Sequence, residues 1–430
     1  MGRTLAMLQT GDWLTLERIR LVAGAALLAA LAALCYLIAT SDGLNDHAGR
    51  PLGTDFSNIY AAGQLLLEGR SAAPYDPVQH RERERAIFGE TTPFYAWLYP
   101  PFFLLVAAAL ALMPYAIALA TWQAVGLVLY LLSIKAILRA QPASCLRTGN
   151  ENAVAERLWL LLALAFPAVF VNIGHGHNGF LTAALFGGGL ALLDRRPWIA
   201  GILLGLLAYK PQFALMIPLV LAVSGRWRPM LSAAATVGAL TIATLLAFGP
   251  ETWRAFFGSL HFTRVIVLEQ GGPGWHKMQS VFSAVRMWGG AVPLAYALQL
   301  VTTLALGAGL AWLWRSQAAF AVQAAALAIA AILAAPYSLD YDMMAFAPAI
   351  AFLAADGLGR GFAPYEKTML AALWLLPLIA RAVTQITFIP VGPIVMGAAF
   401  ALLLGQARRK CSTSPPFMPL ELLHRADRTA

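Results

Sequence analysis

Long uninterrupted apolar runs recur along nearly the whole chain, and they decide what it can fold into. The first, roughly 21–40, is about 20 residues long, enough to cross the hydrocarbon core of a bilayer as a helix. Others follow near 98–113, 115–138, 157–172, 178–193, 198–223, 229–248, 293–314, 317–335, 341–356, 367–383 and 387–405. Hydrophobic residues make up 60% of the 430, and only 12% are charged, about half the share of a soluble domain. Too little polar surface remains to clothe a water-soluble globule. A cytosolic enzyme, a disordered chain and a secreted disulfide scaffold are therefore excluded. The expectation is an all-α polytopic membrane protein of about 12 transmembrane helices. One membrane domain would cover 1–405, and a basic, disordered cytoplasmic tail 406–430. The first run is not read as a cleavable signal, because no small-residue cleavage site precedes a soluble body.

The polar stretches set loops and orientation. External loops are expected at 41–97 and 249–292, the first carrying two short surface helices, 56–68 and 77–88. Arg18 and Arg20 precede the first run, and Arg408, Arg409 and Lys410 follow the last. With Arg226, Arg228, Arg315, Arg360 and Lys367 in intervening turns, the positive-inside rule makes both termini cytoplasmic. The net charge of +9 is thus read as topology rather than as affinity for nucleic acid. Arg81, Arg83 and Arg85 in the first loop alternate with Glu82 and Glu84 and weigh little. Between 98 and 223 two topologies compete. Either every run crosses, with Lys210-Pro211 a break inside one span, or 98–113 is re-entrant and 198–223 a hairpin of two half-spans. The first leaves Arg195, Arg196 and the 139–157 segment outside; the second turns them inside and places His175, His177 and Lys210 outside. Cys35, Cys145 and Cys411 form no CxxC and no metal-ligand spacing, so neither disulfide, metal site nor cofactor is expected.

Polar groups at membrane depth are costly and therefore informative. Asp55, in Thr54-Asp55-Phe56, is either a helix cap or a partly desolvated general base. The segment Gly174-His175-Gly176-His177-Asn178-Gly179 is either a polar turn or a hydrogen-bonding patch for a polar ligand. Lys210 stands beside a proline break, where it either snorkels to an interface or neutralises a phosphate. Asp340 and Asp342, in Pro336-Tyr337-Ser338-Leu339-Asp340-Tyr341-Asp342, either cap a helix or face sugar hydroxyls or a phosphate. The late loop holds His261, Arg264, Gly271-Gly272-Pro273-Gly274, Trp275-His276-Lys277-Met278-Gln279-Ser280 and Arg286. It reads as a mobile flap suited to a phosphorylated, sugar-bearing lipid, or as a plain connector.

The order of these motifs resembles the polyprenyl-phosphate-dependent glycosyltransferases of family 87 (the DUF2029 group), which have the GT-C membrane fold. The resemblance runs from Asp55 to about Ala355. It includes Tyr60-Ala61-Ala62-Gly63, Tyr75-Asp76, Tyr99-Pro100-Pro101, Leu112-Met113-Pro114, the 174–178 turn and the 200–206 segment with Lys210-Pro211. Arg226-Trp227-Arg228, Gln279-Ser280 with Arg286, and 336–342 complete it. The chain departs from the family pattern at His177 and Met278, which bears on sugar specificity. The resemblance implies transfer of one sugar, mannose or another hexose or pentose, from a polyprenyl phosphate to a lipid or glycan acceptor, with inversion. Asp55 would be the base. Lys210, Arg264, His276 and Lys277 would be candidates for the donor phosphate. His177, Asn178, Gln279, Tyr337, Asp340, Tyr341 and Asp342 would contact sugar or acceptor. A single phosphate leaving group needs no bridging metal.

Two other classes compete with this reading. A transporter or lipid flippase of similar span number would show two related halves around a midplane site. Here the halves do not look alike, and the polar clusters lie in external turns. A polysaccharide polymerase or ligase would show a large late external loop. The Ala-, Leu- and Arg-rich composition fits a GC-rich bacterial genome, and the resemblance implies an inner (plasma) membrane location with the site on the periplasmic or extracytoplasmic side.

Overall fold

The computed structural model describes residues 2–140 and 150–413. Cys145, most of the 139–157 segment's connecting portion and the tail beyond 413 lie outside the described residues. Regular structure among those described is helical, with no strand. Among the described residues seven helices are long and apolar enough to cross a membrane: Leu16–Ala39, Tyr115–Ala140, Trp227–Glu269, Val292–Arg315, Asp340–Arg360, Glu366–Thr387 and Val391–Arg408. Arg157–Leu164 and Pro167–His175 would make an eighth if the pair, bent by 47°, is one span. The bend has a local cause, since Phe166 precedes a proline and is driven out of the helical region to ψ 120°.

The remaining apolar runs fold into shorter pieces, and this is where the expectation of about twelve crossings departs from helix length. Residues 98–113 yield only Phe103–Ala111, and two others yield Gly179–Leu192 and Phe320–Leu333. The run 198–223 breaks at Lys210, whose φ of −117° and ψ of 87° are the extended values a following proline favours. Its two halves form a hairpin. Ser232 Oγ donates to the Trp198 carbonyl at 2.7 Å, Gly201 lies against Pro229 and Ser232, and Gly205 against Ala233 and Thr236. Pro197–Leu206 therefore runs in the same direction as the helix beginning at Trp227. A Cβ on Gly201 would sit 2.3 Å from the Pro229 carbonyl oxygen, so only glycine permits this approach. An Asp194–Arg226 ion pair ties the two starting points to one face. The chain between them leaves that face and returns, which puts Lys210 at the hairpin tip. Arg195 donates to the Ala140 carbonyl at the same end. The N-terminal segment packs at the turn before Glu366, where the Tyr365 amide donates to the Gln9 carbonyl at 2.8 Å.

The first loop is not built as the sequence suggested. Thr54–Leu67 is no surface helix: Phe56 to Gly63 and Leu65 are buried. Tyr60 Oη donates to the Met113 carbonyl, and a Cβ on Gly63 would stand 2.1 Å from the Ala107 carbonyl oxygen. The missing side chain lets the helix lie directly on Phe103–Ala111. Pro77–Phe88 forms as a helix with one buried and one exposed face. Asp76 caps it by accepting from the Val78 amide, His80, Glu84 and Phe88 point inward at a spacing of four, and Arg81 and Glu82 face out. At the other terminus, the last helix runs on to Thr413, eight residues into the stretch read as tail.

Glu84 accepts from the Tyr95 amide at 3.1 Å and lies 3.9 Å from His80 Nε2. Burial raises the Glu84 pKa to about 8 and lowers that of His80 to about 4. The unfolded carboxyl titrates near 4.5, so between these values the native state binds more protons and loses stability as pH rises. Glu84→Gln mimics the protonated group and escapes this loss. Its melting temperature in detergent should gain on wild type between about pH 5 and about pH 8, then hold a constant lead. A gap that does not change over that range would show Glu84 to be solvated.

Candidate functional site

Five separate segments converge on Asp55. Gly53, at φ 70°, is the N-cap of Thr54–Leu67 and leaves Asp55 in the first turn with no capping duty. Its Oδ2 is shut away from solvent and has no hydrogen-bond partner among the described residues. Burial raises the Asp55 pKa; His175 and Lys210 oppose this, and Asp340 and Asp342 add to it. The turn at 174–178 docks on the same helix start. Thr54 Oγ1 and His175 Nδ1 are 2.7 Å apart, and Gly176, at φ 63°, has no room for a Cβ beside Phe56.

From this turn the next residues reach the hairpin tip and the 336–342 segment. The His177 ring stacks on Tyr341 with centroids 3.5 Å apart, and burial holds its imidazole well below the ordinary pKa, hence neutral. Asn178 Nδ2 donates to Tyr99 Oη at 2.8 Å. Lys210 and Asp342 are buried and paired, with Nζ 2.5 Å from Oδ1. The same ammonium lies 5.7 Å from the Tyr341 ring centroid. The second oxygen of Asp342 accepts from the Leu339 amide at 2.9 Å, so the capping reading holds for this residue. Lys210 does not snorkel. Tyr337 is half-buried, and Asp55 and Asp342 help burial to raise its hydroxyl pKa.

The late loop is stitched onto this group rather than hanging free as a flap. The Gln279 amide donates to the Ser338 carbonyl at 2.7 Å, and Ser280 Oγ donates to the Pro336 carbonyl at 2.7 Å. Gln279 is buried, with its Nε2 donating to the Lys277 carbonyl. Arg286 donates to the carbonyls of Gly290 and Glu269 and stacks over Trp275. His276 and Lys277 are half-buried, and both have pKa values lowered first by burial and next by the charge of Arg381. Arg264 is placed differently. It is exposed and pairs with Glu269, which also accepts from Tyr296 Oη, and none of the contacts above includes it.

Arg381 was missed by the sequence reading. It lies in the last turns of Glu366–Thr387, with its guanidinium 3.6 Å from the buried Asp340 carboxylate. The signal was present as an arginine inside the apolar run 367–383. Tyr99 belongs to a quoted motif but was not named as a site residue either. Among the described residues no group of three or more His, Cys, Asp or Glu side chains is arranged to hold a metal ion. The arrangement offers a desolvated carboxylate, a neutral imidazole, aromatic faces and a separate group of cations.

A family model for glycosyltransferase family 87 matches residues 97–336, more than half of the chain. The match contains His177, Asn178, Lys210, His276, Lys277 and Gln279, and it leaves Asp55, Asp340, Asp342 and Arg381 on either side. No curated protein and no solved structure matches the chain.

The Lys210–Asp342 pair gives a direct test of how the site is held. Lys210→Met strands a buried carboxylate, which typically costs about 3–5 kcal/mol. Lys210→Met with Asp342→Asn removes both charges and keeps an acceptor for the Leu339 amide. Thermal unfolding in nanodiscs should show a large loss in the single variant and recovery of most of it in the double. Equal losses in both would mean the two charges are not coupled.

Proposed function

The chain belongs to glycosyltransferase family 87 and is a membrane glycosyltransferase; from that premise we propose that it moves one sugar from a polyprenyl phosphate to a lipid or glycan hydroxyl, with inversion and with Asp55 as the base. The observation that carries this reading is the Asp55 carboxylate itself, half-buried, free of any capping role and with one oxygen shut away from solvent and unpartnered among the described residues. The acceptor oxygen attacks the anomeric carbon while its proton passes to Asp55. The carbon–oxygen bond to the phosphate breaks with its electron pair going to the phosphate oxygen. Attack opposite the leaving group inverts the centre. Charge grows on the phosphate as the bond breaks, so fixed cations there contribute most at the transition state. Asp340, Tyr337 and Tyr341 lie within electrostatic reach of this carboxylate and, with His177, Asn178 and Gln279, are the proposed sugar and acceptor contacts, whereas both oxygens of Asp342 are taken by Lys210 and the Leu339 amide. Lys210 acts through Asp342, holding the 336–342 turn in place.

The basic turns around Arg195 and Arg226 gather at the opposite end of the helices from the Lys210 tip. By the positive-inside rule that end is cytoplasmic, which supports an extracytoplasmic site in a bacterial inner membrane and both termini inside. Counting the hairpin as two half-passes and 98–113 as re-entrant keeps the number of crossings even.

The test is a transfer assay in nanodiscs with a panel of labelled polyprenyl-phosphate sugars and a membrane-lipid extract as acceptor. Asp55→Asn should stay folded and lose about 10²–10⁴ in rate. Because a base works deprotonated, the raised Asp55 pKa should displace the acid limb of kcat/KM above the ordinary carboxylate range, near 3.9. An Asp55→Asn variant that turns over as fast as wild type would remove Asp55 from the chemistry.

A further inference from the structure

Resting on the donor reading above, we propose that Arg381, with Lys277 beside it, is the clamp for the donor's phosphate, and that Asp340 occupies the clamp until a lipid phosphate takes its place. Two of the four cations suggested by the sequence are already engaged elsewhere: Lys210 by Asp342 at 2.5 Å, and Arg264 by Glu269 at 3.5 Å. Arg381 and Lys277 are different. Lys277 feels the charge of Arg381, His276 feels both, and Asp340 acts on Lys277 and His276, with Asp55 and Arg50 acting on Lys277 as well. Among the described residues Lys277 makes no ion pair, and the ion pair of Arg381 is the long one to Asp340 at 3.6 Å. Asp340 is only a loose partner for Arg381 and leaves Lys277 with no direct counter-ion among the described residues, the arrangement an anion completes.

The position also fits a lipid anion. Arg381 lies within an apolar helix that is long enough to span, where a charge is costly unless it serves a purpose. Beside it opens a cleft of about 260 Å³, lined by Trp275, His276, Arg286, Thr384, Gln385 and Phe388. Phe388 lines it, and Phe388 with its neighbours Ile386 and Ile389 is an exposed apolar group suited to a hydrocarbon chain. A phosphate on a prenyl chain can reach Arg381 from the bilayer without its tail entering water. Asp340 and Lys277 both act electrostatically on Asp55, so a phosphate seated here stands next to the base that the reaction needs. Once the sugar has left, the phosphate has gained charge, and the same two cations hold the product more tightly than the donor.

The experiment measures binding to the full chain in nanodiscs with three probes: a short polyprenyl monophosphate, the matching polyprenol, and inorganic phosphate as competitor. Wild type should bind the phosphate over the alcohol. Arg381→Gln should weaken phosphate binding by about 10- to 100-fold and leave the alcohol unchanged, with Arg381→Lys intermediate. Asp340→Asn should tighten it, since it removes the competing carboxylate. Lys277→Ala, on a half-buried loop, should weaken it in the same direction and serves if Arg381→Gln does not fold. Arg254→Ala, at an exposed pair with Glu251, controls for net charge. Arg381→Gln and Lys277→Ala binding the lipid phosphate as tightly as wild type would overturn the clamp alone. Competition by inorganic phosphate as strong as by the lipid would make this a soluble-anion site and overturn its assignment to the donor. A wild type that binds no polyprenyl phosphate would overturn the donor reading and the clamp with it.

Discussion

One ion pair, Lys210 with Asp342, joins the two halves of the site. Neither charge is tolerable alone at that depth, and a 2.5 Å contact in a low-dielectric setting gives each the counter-charge it requires. The pair fixes the hairpin tip against the 336–342 turn. Asp342 also accepts from the Leu339 amide, so the turn's backbone is set by the same carboxylate. With that turn fixed, Tyr341 lies flat on His177, and Ser338 and Pro336 present the carbonyls onto which the late loop fastens. The stacking and the loop closure both follow from a contact between residues 132 positions apart.

The surrounding electrostatics divide the charges into two kinds. Lys210 is committed to structure, buried and paired, and it influences Asp55 only as one of several neighbours. Burial still prevails over the nearby cations and raises the Asp55 pKa, as desolvation does whenever a carboxylate lacks donors to replace water. Lys277 and Arg381 are less enclosed and less satisfied. The protein thus separates the cation that holds its frame from the cations that remain available, and Asp340 sits between the two groups.

Much of this was legible in the sequence, for reasons that also explain what was not. Apolar runs of about 20 residues report helices directly, because only a helix satisfies the backbone in lipid. The hairpin at Lys210 was readable as one of two alternatives, since a proline marks a break but not the direction taken afterwards. The geometry that distinguished them, glycines at 201 and 205 against one neighbouring helix, is a tertiary fact. Burial of Thr54–Leu67 was misread because a short amphipathic helix looks alike on a membrane surface and against a protein one; Gly63 was the available hint. Arg264 illustrates the opposite error. Loop composition suggested a free cation, yet Glu269, five residues on, claims it. Arg381 lies outside the turns that carry the other polar groups, and its signal is a charge within an apolar run.

The hairpin also has a history. Its lysine emerges from the ribosome 132 residues ahead of the aspartate that will neutralise it. At about 5–20 residues per second, that interval lasts on the order of ten seconds. Throughout it Pro197–Val223 must reside in or beside the membrane with an unpaired ammonium at its tip. A re-entrant hairpin suits that wait better than a full crossing, because its tip can stay near the aqueous boundary until the later helices arrive. Final seating of the tip therefore belongs to a late step of assembly, when Phe320–Leu333 and the turn after it bring Asp342 into place. The order of synthesis, and not only the finished packing, favours a hairpin at this point in the chain.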